Sequence, residues 1–235
     1  MVDKEKFIKL KDFWDKALYL SESDKDEIKK NIKGDEFKDF APSPKLYDSV
    51  SMLSNQSLVL DYGCGSGWAS IILAKLGTKK IVGVDVSGSA IDALNFYKNV
   101  FNVEDIIEGI KIDSSWLKNE EDNKYDGFVC SNVLDVIPKE MMLDILKEIH
   151  RILSKDALMV IGLNYYLDPK VAQEKGLNLV SGNELYVDGV LRLVNYSSEE
   201  LKEIFSEYFI IDSLTYFRWM GEDKDTRRLF ILRNK

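Results

Sequence analysis

The chain has 235 residues, 45% of them hydrophobic, which suffices for one large α/β domain with a core on both faces of a sheet. Its formal net charge of −8 offers no basic field to gather nucleic acid or anionic lipid, and no apolar run reaches the ~18 residues of a membrane span. The charged start, MVDKEKFIKLKDFW, is unlike a secretory signal, so a cytoplasmic protein is expected. Cys64 and Cys130 fit a reducing compartment and stand in no metal-ligand spacing, so no metal is expected.

Along the chain, Phe7, Leu10, Trp14, Ala17 and Leu18 recur at spacings of three and four and predict an amphipathic helix over 4–20. Ser23 followed by Asp26 predicts a capping box for a second helix that Gly34 ends. Ser43-Pro44 supplies a cap and a first-turn proline for a third helix carrying Leu46, Val50 and Leu53. Residues 1–56 are therefore expected to form a helical cap or lid on a domain spanning 57–235.

From residue 57 the texture alternates. Strands are predicted near 57–62, 80–85, 107–112, 125–131, 157–163, 208–217 and 227–233. Helices are predicted near 67–76, 88–100, 139–153 and 197–206. This order predicts a Rossmann-like, doubly wound, seven-stranded sheet, mostly parallel, with antiparallel pairing at an edge where the last two strands follow each other directly. Asp188-Gly189, flanked by alternating apolar residues over 183–194, predicts a hairpin insertion placed where a lid could sit.

LVLDYGCGSGWASIILAKLG, residues 58–77, joins a strand to a helix through Gly63, Gly65 and Gly67. Without Cβ atoms the loop can let a ligand touch the main chain, at a helix N-terminus and beyond the carboxyl ends of the strands. The next strand ends on Asp85, whose carboxylate suits the two hydroxyls of a ribose. The dinucleotide fingerprint would put its third glycine at position 68, where Trp68 stands. Asp61 disfavours a pyrophosphate and suits a cationic amino group. The pattern describes a nucleoside with a positive tail.

Here the chain resembles the class I S-adenosylmethionine-dependent methyltransferases of the small-molecule type. The resemblance rests on Leu60-Asp-Tyr-Gly-Cys-Gly-Ser-Gly67, Val84-Asp-Val-Ser87, Ile112-Asp-Ser-Ser115, the stretch Tyr125–Ile137 and Leu146–Leu153. It implies S-adenosyl-L-methionine as cofactor, with S-adenosyl-L-homocysteine as product. Gly63, Cys64, Gly65 and Gly67 would form the loop around the methionine and ribose, and Asp61 would hold the amino group. Asp85 would take the ribose, Val86 would lie beside adenine, and Asp113 and Ser114 would bond its ring system. Ser131 and Asn132 would flank the transferring methyl. Ser154-Lys-Asp-Ala157 departs from the family's Lys-Pro-Gly-Gly turn.

A sulfonium is an activated donor, so alignment and exclusion of water suffice and a base is optional. Asp135, just past the fourth strand, is the one candidate base or orienting group; it could equally cap the following helix. His150, mid-helix beside Ile149 and Ile152, is expected to be structural. Neither cysteine follows a proline, and Ser131-Asn-Val-Leu134 stands where adenine methylases of DNA carry Asn-Pro-Pro-Tyr, which argues against a nucleic-acid acceptor. A small-molecule acceptor is expected, with Trp14, Tyr19, Tyr47, Asn164, Tyr165 and Tyr166 as candidates to face it, and Arg218 and Trp219 behind them. The alternatives are an NAD-dependent oxidoreductase and a cofactor-binding module without catalysis.

Overall fold

In the computed structural model the described residues are 4–32, 36–177 and 179–235. Three helices come first: α1 (Lys4–Ala17), α2 (Glu22–Asn31) and α3 (Pro44–Ser51). There follow β1 (Leu58–Tyr62), α4 (Trp68–Lys75), β2 (Lys80–Asp85), α5 (Gly88–Val100) and β3 (Ile107–Lys111). The middle comprises α6 (Trp116–Asn119), β4 (Tyr125–Ser131), α7 (Lys139–Ile152), β5 (Leu153–Tyr165) and α8 (Pro169–Glu174). Last come β6 (Leu179–Val180), β7 (Glu184–Val187), β8 (Val190–Val194), α9 (Ser198–Tyr208), β9 (Phe209–Phe217) and β10 (Arg227–Asn234).

Seven strands form one sheet in the order β3-β2-β1-β4-β5-β10-β9. β1 to β5 are parallel, while β10 runs antiparallel to both β5 and β9. The expected fold is therefore present, with the reversed strand one place in from the edge: β9 turns directly into β10, which inserts beside β5. The order reverses between β1 and β4, the position at which open α/β sheets bind ligands.

The parallel strands read as near-continuous apolar runs because both faces are covered. Val59, Leu60, Ile81, Val84, Phe128, Val129, Met159 and Ile161 are all buried. One face packs under α7 and α9 through Leu146, Ile149, Leu201 and Phe205, and the other under α3, α4 and α5 through Leu46, Val50, Ile71 and Leu94. On α7 the buried residues Met142, Leu146, Ile149 and Ile152 repeat at four and three, so a single stripe faces the sheet.

Local chemistry departs from expectation in a few places. The capping box is Ser21 with Asp24, not Ser23 with Asp26, because Ser21 is the residue with extended backbone whose oxygen meets the Asp24 N–H. Gly34, expected to end that helix, lies outside the described residues. Ser43 is the cap residue before Pro44, but its side chain makes no capping bond. The pairing of β4 with β5 advances two residues on β4 but five on β5, so the Ser154–Ala157 segment bulges with Asp156 at φ +61°. β7 and β8 pair antiparallel around Asp188 (φ +52°) and Gly189 (φ +73°), as Asp-Gly demands, and β6 adds a third strand.

Candidate active site

A cavity of about 340 Å³ opens beyond the carboxyl ends of β1, β2 and β4. Its floor is the glycine loop. Gly63 N–H and Cys64 N–H both donate to the Val84 carbonyl, at 2.8 and 3.0 Å, which folds the loop onto β2. At Gly63 (φ +68°) a Cβ would stand 2.3 Å from Val133 Cγ2, and at Gly67 (φ +84°) 2.1 Å from Leu94 Cδ1. Gly65 (φ +54°) is different: a Cβ there would meet nothing within 4 Å. Gly63 and Gly67 thus admit neighbouring side chains, whereas Gly65 leaves room above the backbone.

Asp85 is in the cavity wall, its Oδ2 accepting from Gly65 N–H at 3.0 Å and its Oδ1 from Ser87 N–H at 2.9 Å. Burial pushes its carboxyl above the ordinary value, and these backbone donors oppose that rise. Ser87 caps α5 by accepting from Ala90 N–H, and its hydroxyl donates to Asp15 of α1 at 2.6 Å. Burial alone would raise the Asp15 carboxyl, but the Lys11 ammonium and the Ser87 hydroxyl hold it at about 2. That bond fastens α1 across the cavity, where Leu10, Lys11, Trp14 and Leu18 form one wall.

Gly63, Cys64, Gly65, Asp85, Val86, Ser131, Asn132 and Trp14 all line the cavity, as does Trp219. Asn132 takes a left-handed conformation (φ +58°), and its Oδ1 is buried with no hydrogen-bond partner among the described residues. Burial drives the Cys64 and Cys130 thiols well above their ordinary values, consistent with small packing residues.

Other expected residues lie elsewhere. Asp61 is buried beneath the loop, its Oδ2 accepting from Ser70 N–H at 3.2 Å and Ser70 Oγ at 2.7 Å; it does not line the cavity. Gly67 is the cap residue of α4, also off the wall. Asp113 and Ser114 are exposed on the loop after β3, and Asp113 accepts from the N–H and hydroxyl of Ser115; Ile112 lines the cavity in their place.

The substrate candidates divide sharply. Trp14 faces the cavity. Tyr19 is 67% exposed and borders a separate small cleft, Tyr47 packs with the α3–α4 core, and Tyr165 and Tyr166 point outward. Asn164 is tied between Asp135 and Arg227, whose guanidinium bonds Asn164 Oδ1 at 2.6 Å. A direct role of these five against a ligand in this cavity is corrected by their placement.

Asp135 as a base is corrected too. It is fully buried and off the cavity wall, with Oδ2 accepting from Asn164 N–H at 2.7 Å. His150 is structural, with Nδ1 2.8 Å from Asn234 Oδ1.

Several wall residues escaped the sequence reading: Lys11, Pro42, Trp68, Ile112, Met141 and Ile145. Met141 and Ile145 carried a signal, since they repeat at four beside the buried stripe of α7. Pro42 carried none; the Met220 N–H bond to the Pro42 carbonyl, 3.1 Å, joins segments far apart in the chain. Among the described residues no three His, Cys, Asp or Glu side chains group to hold a metal, and no helix is long and apolar enough to cross a membrane.

Residues 59–156 match a family described as a methyltransferase domain. That stretch is a methyltransferase domain, and the fold is that of the class I S-adenosylmethionine-dependent methyltransferases. Among curated relatives of this methyltransferase, a ribosomal protein L11 methyltransferase of Thermosipho africanus is 33% identical over 122 residues, 52% of this chain and 42% of the relative. One of the same name from Shewanella denitrificans is 30% identical over 171 residues, 72% of this chain and 44% of the relative. The chain thus spans less than half the length of these relatives.

The crystal structure of the N-methyltransferase NodS from Bradyrhizobium japonicum, in complex with S-adenosyl-L-homocysteine, shares the fold. Its TM-score is 0.57 at 17% identity, covering 81% of this chain and 84% of that one. The expected small-molecule acceptor is corrected by the curated relatives, whose names specify a protein as acceptor.

Proposed function

We propose that this methyltransferase domain binds S-adenosylmethionine in the cavity beyond β1, β2 and β4 and transfers its methyl to a nucleophile of a protein. The observation that carries the cofactor half is Asp85 in the cavity wall beside Gly65, whose missing Cβ leaves open space. The orphaned Oδ1 of Asn132, another residue of the wall, adds an acceptor. These residues fit the group: a carboxylate for ribose hydroxyls, bare backbone for close approach, and Val86 with Ile112 as apolar walls for a purine.

Bound there, S-adenosylmethionine supplies an activated methyl that needs no further activation. The chain's residues align and exclude water. Asp85 would accept from the ribose hydroxyls, Gly63 and Gly65 would let the main chain approach, and Ser131 and Asn132 would flank the methionine end. Asp61 acts from below by fixing the start of α4 through Ser70. Asp113 and Ser114 lie one and two residues beyond the wall residue Ile112, so an adenine contact from them requires the loop after β3 to turn inward. Leu10, Trp14, Leu18, Met141 and Ile145 supply the apolar cover that keeps water from the sulfonium.

Two observations support a protein acceptor. The curated relatives carry that acceptor in their names. A cavity of about 340 Å³ is also near the lower end of ligand pockets, so once a nucleoside is seated the nucleophile enters best as an extended side chain. The test is transfer of tritiated methyl from S-adenosylmethionine to ribosomal protein L11 of Thermosipho africanus, with Asp85→Ala as control. Label in the protein that Asp85→Ala abolishes supports the proposal. Retention of S-adenosylhomocysteine binding with no label in L11 refutes this acceptor, and absence of binding by calorimetry refutes the cofactor site.

A further inference from the structure

Asp135 is fully buried, accepts four bonds or near contacts, and touches no ligand space. It stands in the segment running from the last residue of β4 to α7, which contributes Ser131, Asn132, Val133, Val136 and Ile137 to the cavity wall. The segment is pinned at its start by Asn132 N–H donating to the Gly162 carbonyl at 2.8 Å. Its middle is tied to β5 and β8 at Asp135. Oδ2 accepts from Asn164 N–H at 2.7 Å, Oδ1 from the Asn164 side-chain amide at 3.3 Å, and the Asp135 carbonyl from Val194 N–H of β8 at 2.7 Å.

Behind it lies Arg228 on β10, 1% exposed. Its Nε donates to the Asn164 carbonyl at 2.9 Å and its Nη1 to the Tyr196 carbonyl. Its Nη2 stands 4.0 Å from Asp135 Oδ2 and has no hydrogen-bond partner among the described residues. The same Asn164 reaches a second wall. Its Oδ1 accepts from Arg227, whose guanidinium lies 3.6 Å over the Trp219 ring, and Trp219 lines the cavity.

A buried ion pair adds little net stability compared with apolar side chains of equal volume. What directional bonds do supply is a single arrangement of the backbone they hold. We infer that Asp135 is a positioning residue: through Asn164 it holds the 131–137 segment against β5, and so holds Asn132 and Val133 at the cavity wall. This rests on the cavity being the cofactor site. Asp135 is a poor base for the same reason it is a good anchor, since both oxygens are engaged away from the cavity.

The test uses the full chain, S-adenosylhomocysteine calorimetry, and urea unfolding. Asp135→Asn keeps an oxygen for the Asn164 N–H but leaves Arg228 without its counter-charge. It is expected to unfold more easily yet bind S-adenosylhomocysteine within about threefold of wild type. The double variant Asp135→Leu with Arg228→Leu removes both charges and both anchors. Because the Asn164 N–H and the Asn164 and Tyr196 carbonyls lose their partners, it is expected to unfold more easily than wild type and to bind about tenfold more weakly.

Stability should therefore fall in both proteins, whereas affinity should fall only in the double variant. If Asp135→Asn loses affinity along with stability, or the double variant keeps wild-type affinity, Asp135 is merely structural and the inference is overturned. A wild-type protein that binds no S-adenosylhomocysteine overturns instead the cofactor site on which the inference stands.

Discussion

Replacing Asp61 by asparagine probes the floor of the cavity. Asp61 is 3% exposed, and burial pushes its carboxyl from 3.8 to about 6, the Asp85 charge adding to the rise and the two Ser70 donors opposing it. Such a displacement corresponds to about 3 kcal/mol. The folded state keeps its proton to about pH 6, whereas the unfolded chain releases it near 3.8. The contribution to stability is therefore fully present below the unfolded value and is lost as pH rises through 6.

Asparagine has no proton to release, and its oxygen can accept both Ser70 bonds. An unpaired amide N–H would destabilise the variant equally at every pH, so the change in the mutational effect with pH carries the prediction. Between pH 4 and pH 8, Asp61→Asn should gain about 2 kcal/mol relative to wild type. Urea unfolding followed by tryptophan emission at pH 4, 5, 6, 7 and 8 measures it directly. A mutational effect that is flat across that range, or that turns against asparagine as pH rises, refutes the reasoning. A parallel titration with S-adenosylhomocysteine separates the two roles considered for Asp61. Support from below leaves affinity within about threefold, whereas contact with the amino group would lower it by about tenfold or more.

Three further outcomes are expected. Gly63→Ala should destabilise the protein by about 3 kcal/mol in chemical unfolding, from a left-handed backbone and overlap with Val133, whereas Gly65→Ala loses only about 1 kcal/mol but weakens S-adenosylhomocysteine binding. Equal losses of stability would contradict the division of labour in the loop. Ser87→Ala removes the α5 cap and the Asp15 bond together, so about 1–2 kcal/mol should be lost and amide exchange in α1 should quicken; unchanged exchange would mean the bond does not hold α1. Three of the four tryptophans, Trp14, Trp68 and Trp219, line the cavity. Emission should therefore respond to S-adenosylhomocysteine equally in wild type and in Trp116→Phe, and a response that vanishes in that variant would move the site elsewhere.

The chain order of the seven sheet strands and of α4, α5, α7 and α9, the parallel sheet, the hairpin at Asp188-Gly189 and the glycine loop were all legible, because each follows from periodicity or from turn residues within a few positions of one another; the short α6, α8 and β6 were not. So were Asp85 and Gly65, since a strand end and its loop are placed by the sheet that the same residues build. Other side chains were settled by distant partners. Asp61 turns to Ser70 on the next helix instead of the cavity, and Asp113 folds back onto Ser115. Asp135 and Asn164 are drawn to Arg227 and Arg228, on a strand that inserts beside β5 only once the sheet has closed.

Sequence by itself determined which backbone forms and where a ligand can approach it. Tertiary structure decided which acids and aromatics face that ligand, because the direction of a buried polar side chain follows its nearest available partner, and that partner is set by packing between segments remote along the chain.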